Sequence, residues 1–527
     1  QTAISPSVNQ AVSEMAVFVL LAVILVTFLF YHLRSLRRTD LPPGPKPWPL
    51  LGNFPTIIIA GWRGVPVLEV LKRWKREYGN CYTFWLGPIP TVHVVDYKTA
   101  VDAYARNAET HAGRMQIWQL THMRGNKGIV FSEGAEWQEQ RRFSLRVLRN
   151  FGVGKNLMQE RILEECKHRF DELKAELTVA EGGKMVINLA PMFDLLVGSI
   201  INSLIAGYRF DKDHEKEFFH LKHQLDQQLA ESAIIDNVIL TPTTIKWPFF
   251  KERWDRQIAP QKASEAHIMK LIKDRQEAIA AGTYKLDESG DGNDYIDAYL
   301  IEINRRKAAG EEMSWFTEEN LVHNMLDIWI AGMETTIVTL LWAFAFFLNH
   351  RDAQDRLRTE IHRITGGQRM VELSDRVNMP FAHAVAIEVQ RAARIGNFNL
   401  FHRTTSETVI DGYVLPKGTI TVPQLSVIMH DEDVFKNPDK FDPDRFLNVD
   451  RKNLEQHVVA FGLGKRACLG EGLAKAELFL IIMNLVQSFK FSTVPGEEPP
   501  SLRAQMEGSS LMHRSRPYRV QIESAQY

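Results

Sequence analysis

The chain has 527 residues, with 63 Lys and Arg against 64 Asp and Glu, 45% hydrophobic residues and three cysteines. Its near-zero net charge gives no support to a nucleic-acid binder, and a charged fraction of 24% argues against wholesale disorder, so a compact enzyme is the better starting point. Cys81, Cys166 and Cys468 are too few and too scattered for a disulfide framework or a four-cysteine zinc site, which fits a reducing compartment.

In chain order, the first strong feature is Met15 to Tyr31, seventeen residues without charge, followed by Arg34, Arg37 and Arg38. That is a membrane span of minimum length, and the basic flank after it predicts a signal anchor that keeps the following chain in the cytosol rather than a cleaved signal peptide. Met15 reads as the natural start, with residues 1–14 an extension, 15–33 the anchor, and 34–49 a basic, proline-rich strap. Within the strap, Leu41-Pro42-Pro43-Gly44-Pro45-Lys46-Pro47 is predicted to be stiff and extended, because proline fixes φ and removes a donor.

Residues 50–527 read as one mainly helical body with small β-sheets and no solenoid repeat. Two β-rich stretches are expected to be hairpins: Cys81 to Asp96, around Gly87-Pro88-Ile89-Pro90, and Tyr413 to Val422, turned at Pro416-Lys417-Gly418. Loops are expected at Gly282 to Asn293 and at Pro495 to Pro500. Ile328 to Leu348 is long enough to span a bilayer, but Glu334 beside Gly332, Thr335 and Thr336 predicts a buried core helix meeting a cavity, since a carboxylate in lipid costs several kcal/mol on the order of the insertion scales. Thr335 could instead bond back to a carbonyl one turn earlier.

The most informative run is Phe461-Gly462-Leu463-Gly464-Lys465-Arg466-Ala467-Cys468-Leu469-Gly470, leading into an apolar helix from about Leu469 to Val486. Gly462, Gly464 and Ala467 satisfy a loose dinucleotide fingerprint, but no acid follows at the ribose-binding distance. Cys468 sits where the loop meets a helix N-terminus, whose unpaired N–H groups and positive dipole end favour thiolate. Gly464 and Gly470 would let backbone approach a flat ligand, and Arg466 could reach an anionic group on its rim. One cysteine cannot close a zinc or iron–sulfur site, yet it suffices for haem, where the porphyrin supplies four nitrogens. On that premise Trp137 and Arg141, one helical turn apart, can offer an indole N–H and a guanidinium to one propionate. Glu388 and Arg391 share a helix face, and Arg445 in Pro443-Asp444-Arg445-Phe446 offers a second guanidinium, although such a pair alone is more often on the surface.

Taken together, and in this order along nearly the whole chain, the strap, the Trp137–Arg141 pair, Ala331-Gly332-Met333-Glu334-Thr335-Thr336, Glu388 with Arg391, Phe441 to Phe446 and the cysteine loop resemble cytochrome P-450, the haem-thiolate monooxygenase family. The likeness is to its microsomal, membrane-anchored, drug-metabolising clan, through Arg142-Phe143-Ser144-Leu145 and Leu148-Arg149-Asn150-Phe151-Gly152, and Thr83 to Pro88 has an invertebrate, nematode-like character. The resemblance implies that fold, a helix-rich single catalytic domain behind a transmembrane anchor. It implies haem b with Cys468 as the metal ligand, and Arg114, Trp137, Arg141, His402 and Arg466 around the propionates. Glu334 and Thr335 match the acid–alcohol pair that relays protons, and Glu388, Arg391 and Arg445 match a structural triad that locks the cysteine loop. Pocket residues fall by resemblance at Met115 to Lys127, Gln224 to Leu240, Asp327 to Met333, Ile395 to Phe401 and Ser509 to Leu511, and Ile395 to His402 lacks a proline the family often carries.

The implied reaction is insertion of one oxygen atom of O2 into an apolar organic substrate (xenobiotic, fatty acid or steroid), with electrons from NADPH through a separate reductase flavoprotein and a cytochrome b as a second donor. The implied location is the endoplasmic reticulum membrane, single-pass, facing the cytosol, with no nucleic-acid partner. The rivals are a haem-thiolate isomerase or dehydratase acting on peroxides without O2 and a non-catalytic haem sensor, and the Glu334–Thr335 pair speaks against both. A cationic stripe of Arg142, Arg146 and Arg149, extended by Lys155 and Lys465, is expected to meet the reductase.

Overall fold

The computed structural model describes residues 19–20, 22–28, 30, 40–151, 156–231, 236–287, 290, 292–311, 315–396, 399–504 and 512–525. Residues 22–28 are helical, and Val23, Ile24, Leu25, Val26 and Phe28 in that stretch are exposed. The remainder of the expected extension and anchor, with Arg34, Arg37 and Arg38, lies almost entirely outside the described residues, as do Lys155 and Ser509 to Leu511. The proline run at 42–47 is extended and docks on the first strand, where the Thr83 N–H donates to Pro43 O at 3.0 Å and Thr83 Oγ1 donates to Pro42 O at 2.6 Å.

Strands β1 (Cys81–Leu86) and β2 (Ile89–Val94) form the expected antiparallel hairpin. After β3 (Gly113–Arg114) come the helices α1 (Trp118–Arg124), α2 (Gly134–Asn150) and α3 (Asn156–Val179). In α2 the buried residues Trp137, Gln140, Phe143, Ser144, Val147 and Leu148 recur at helical spacing, so one stripe faces the core. Then follow β4 (Lys184–Ile187), α4 (Leu189–Ile205), α5 (Glu215–Glu231), α6 (Pro248–Ala280) and the central helix α7 (Glu318–Asn349). Thr317 caps α7 by accepting from the Asn320 N–H, and Glu318 and Glu319 complement the dipole in its first turn. Among the described residues α7 is the one helix long and apolar enough to cross a membrane, and 72% of its most apolar stretch is buried inside the protein, so it is a core helix.

The second half contributes α8 (Pro380–Ala393), β5 (His402–Arg403), β6 (Thr408–Ile410), β7 (Tyr413–Leu415), β8 (Ile420–Pro423) and α9 (Glu471–Ser488). Helix α9 starts two residues later than the apolar pattern suggests and is buried almost all round from Ala476 to Gln487. The main hydrophobic core joins side chains of α3, α4, α7, α8 and α9. Beside it lies a five-stranded sheet in the order β1-β2-β8-β5-β3.

The expected hairpin at Tyr413 to Val422 does not form. β7 pairs backwards with β6 across Asp411-Gly412, whose φ values of 50° and 84° are those of a two-residue hairpin turn, whereas β8 leaves that pair and runs parallel to β2. Pro416 to Gly418 therefore redirects the chain between two sheets instead of closing one.

Candidate active site

The cysteine loop is shaped before its sulfur is placed. The Cys468 N–H donates to Phe461 O at 2.8 Å and the Ala467 N–H to Gly464 O at 3.0 Å, closing a tight loop ahead of α9. Gly464, at φ 70°, lies flat against the Tyr104 carbonyl, where any Cβ would collide. Its small size thus serves loop packing against backbone. Cys468 is exposed as a residue, while its thiol has enough protein around it to be partly desolvated. Burial pushes its thiol up, while the Gly470 N–H and the Arg141 guanidinium pull it down. In the protein alone, burial outweighs the helix-end effect expected from sequence, and a bound cation is what would hold the sulfur as thiolate.

Next to this loop stands a wall of guanidinium groups. Arg141 Nη2 donates to Ala467 O at 2.5 Å, directly beside the cysteine. Arg466 donates from Nε to Ala112 O at 2.7 Å and from Nη2 to Ser132 O at 2.8 Å, and its guanidinium carbon lies 3.6 Å from the Trp137 ring centroid. Arg114 donates from Nε to Val130 O at 3.0 Å and from Nη1 to Leu400 O at 3.3 Å. Burial, then repulsion from Arg114 and Arg141, brings Arg466 down to about 8, and burial with Arg141 brings Arg114 down to about 10. Glu133, the carboxylate acting on Arg466, is already engaged by the Arg403 side chain and the Arg114 N–H.

Two donors in this wall, Trp137 Nε1 and Arg466 Nη1, are buried without an acceptor. Crowded cations with orphaned donors call for an anion, and the two propionates of haem meet both needs. The residues present therefore fit haem, and the Cys468 sulfur lies in the loop beside them. His402 belongs to the same wall: its Nδ1–H donates to His111 O at 2.7 Å, and burial with Arg114 holds the ring well below its usual range. A neutral His402 so arranged has no proton on Nε2, so it can donate to an anion only when doubly protonated, a state the anion itself would favour.

Across from the loop, Thr335 and Thr336 of α7 share a cavity of about 190 Å³ with Ile395, Asn399, Phe461 and Ala474. Of the pocket segments expected from sequence, Ile395, Gly396 and Asn399 line it, while Asn397, Phe398 and residues 232–235 are outside the described residues. Thr335 Oγ1 donates to Ala331 O at 2.7 Å, the back-bond of a mid-helix threonine. Glu334 does not open into this cavity. Its carboxylate is buried on another face of α7, with Oε1 2.8 Å from Lys222 Nζ and Oε2 accepting from Arg514 at 2.7 Å, in a second cavity that also holds Asp194. Asp194 is pushed up to about 6, chiefly by burial.

Sequence reasoning missed Lys222 and Arg514, since nothing local marks a partner so far along the chain. Arg124 and Asp327, expected from the resemblance to lie in pocket segments, instead form a buried ion pair; Asp327 further accepts the N–H groups of Ile129 at 2.7 Å and Val130 at 2.9 Å, tying the segment before α2 to α7. Glu388, Arg391 and Arg445 come together as expected and are buried. Arg391 grips Glu388 with two bonds of 2.7 and 2.8 Å, and Arg445 Nε adds a third at 3.2 Å.

The chain matches the cytochrome P450 family over residues 42–522. It is similar to the probable cytochrome P450 cyp-35D1 of Caenorhabditis elegans, 33% identical over 485 residues that cover 91% of this chain and 94% of the relative. It is similar also to cytochrome P450 2U1 of Mus musculus, 32% identical over 523 residues, 95% of this chain and 94% of the relative. Cytochrome P450 2U1 of Homo sapiens is 32% identical over 495 residues, covering 89% and 87%.

Proposed function

The chain belongs to the cytochrome P450 family, an oxidoreductase family of haem-thiolate monooxygenases, and we propose that it inserts one oxygen atom of O2 into an apolar organic substrate such as a xenobiotic, fatty acid or steroid. The observation that carries this reading is the guanidinium wall with its orphaned Trp137 and Arg466 donors, set against the Cys468 loop, whose Phe461 lines the Thr335 cavity. Haem bound there supplies O2 binding and its reductive activation. Arg114, Arg141, Arg466 and Trp137 hold the propionates, His402 joins them once protonated, and Cys468 anchors the iron. Ile395, Leu425, Phe461 and Leu478 supply the apolar part of the cavity wall, beside Gln390, Arg394 and Asn399, where an apolar substrate would rest. Thr335 presents a hydroxyl that can leave Ala331 O to pass a proton into the cavity, while Glu334 stays committed to Lys222 and Arg514 on another face of α7.

Thr335→Ala is expected to leave haem content unchanged while hydrogen peroxide release rises and product per NADPH falls. Unchanged coupling would return Thr335 to its helix-bending role. A panel of apolar substrates turned over with purified reductase, NADPH and O2 tests the reaction itself. Product formed from an organic peroxide alone, with none from NADPH and O2, would favour the isomerase or dehydratase reading.

Electrons are proposed to arrive from a NADPH-dependent reductase, with a cytochrome b as alternative donor, at the endoplasmic reticulum membrane on its cytosolic side. The exposed apolar helix at 22–28 supports a single-pass anchor. Arg142, Arg146 and Arg149 are exposed along one face of α2, Arg146 lying 3.5 Å from Glu302, whereas Lys465 is ion-paired with Glu109. Opposite potentials speed association more than they deepen affinity. Arg142→Glu with Arg149→Glu is expected to slow reduction by NADPH and flatten its salt dependence, while peroxide-driven turnover survives. Equal loss by both routes would make the stripe structural.

A further inference from the structure

Glu477 lies one and a half turns into α9, the helix that follows Cys468, and is 1% exposed. Its Oε2 accepts from Thr336 Oγ1 at 3.3 Å, and its Oε1 is buried with no partner. Thr336 is itself buried, and it lines the cavity next to Thr335. The carboxyl group therefore bridges the two helices that carry the cysteine loop and the threonine pair.

Among the described residues, no Lys, Arg or His forms an ion pair with Glu477. From α7 it meets the Thr336 hydroxyl, while Glu334 on that helix faces Lys222 and Arg514. From α3 it meets the Cys166 thiol, kept protonated by burial, while the neighbouring Glu165 is bound by Arg169 and Arg209. On α8, Glu388 and Arg391 are committed to each other. A carboxylate with one neutral hydrogen bond and one orphaned oxygen in an apolar helix interface is far less stable than the acid, whose proton occupies the otherwise empty Oε1. Burial accordingly raises Glu477 from its ordinary value of 4.5 to about 8.

We propose that Glu477 is a positioning residue held as a neutral carboxylic acid, which fixes the Thr335–Thr336 step of α7 against the cysteine-bearing end of the fold through the Thr336 hydroxyl. It touches no substrate; it sets where Thr335 stands. The catalytic consequence rests on the monooxygenase reading above, but the protonation state does not.

The test uses the full-length holoprotein and has two arms. In the first, thermal unfolding of wild type and Glu477→Gln is followed between pH 5 and 9. A folded-state pKa raised from 4.5 to about 8 means stability that is complete below the lower value and lost as pH rises to the upper one. Glutamine does not titrate, so the melting-temperature difference should widen in favour of the variant up to about pH 8 and then stay level. A difference that is constant across this range overturns the neutral acid. In the second arm, Glu477→Leu and Thr336→Val should each lower product per NADPH at unchanged haem content, whereas Glu477→Gln, which still accepts from Thr336, keeps wild-type coupling. Equal loss in Gln and Leu variants, or no loss in either Leu or Val, overturns the positioning role. If wild type itself consumes no NADPH, the monooxygenase reading fails and the pH arm still decides the state of Glu477.

Discussion

Cys468→His should yield a folded protein whose reduced carbon monoxide complex lacks the red-shifted haem band, with NADPH-driven product falling below detection. The loop geometry depends on backbone contacts, the Cys468 N–H to Phe461 O and the Ala467 N–H to Gly464 O, so a new side chain leaves it in place. The guanidinium wall, set by carbonyls of Ala112, Ser132 and Val130, is likewise independent of the sulfur. What changes is the donor. A thiolate pushes electron density toward iron and favours O–O cleavage, whereas imidazole is a neutral, weaker donor. Haem retention without the shifted band would separate these two contributions. An unshifted band in folded wild type, or a shifted one in the variant, would remove Cys468 from the metal.

The difference between what could and could not be read from sequence follows from contact range. Trp137 with Arg141, and Glu388 with Arg391, are visible because a helix brings residues three or four apart onto one face. The cysteine loop is visible because glycines, a cation and the cysteine occupy ten consecutive positions. The Asp411-Gly412 turn was equally local, and its left-handed signature outranks Pro416-Lys417-Gly418 as a hairpin signal. By contrast, the parallel register of Thr91 with Ile420 is set by distant packing that no local pattern encodes.

Glu334 shows the same limit at the site. The acid–alcohol pair is adjacent in sequence, but successive helical residues point about 100° apart, so the two side chains cannot both face one cavity as a matter of course. Lys222, and Arg514 at 180 residues' separation, then claim the carboxylate. Glu477 is hidden for another reason. In an apolar helix a lone acid looks like a surface residue, and its role emerges only when Thr336 is seen across the interface.

Glu388→Ala should destabilise the protein by about 3–5 kcal/mol and release haem, because it strands two buried guanidinium groups rather than removing a favourable contact. Arg391 is wholly buried, and its remaining partners are the carbonyls of Met429 at 3.1 Å and Lys440 at 3.3 Å, which do not neutralise its charge. Arg445 likewise keeps carbonyl bonds to Lys436 at 2.8 Å and Lys440 at 3.0 Å. The Asp442 N–H, now bonded to Glu388 Oε1 at 2.8 Å, would lose its acceptor as well. A control lies in the same segment: Asp444 pairs with Arg356 at 2.6 Å, but both side chains are about half exposed, so Asp444→Ala should cost under about 1 kcal/mol. Thermal unfolding and haem content of the two variants, measured side by side, check the contrast. Equal melting temperatures would show that the Glu388 triad tolerates solvent and does not lock the cysteine loop.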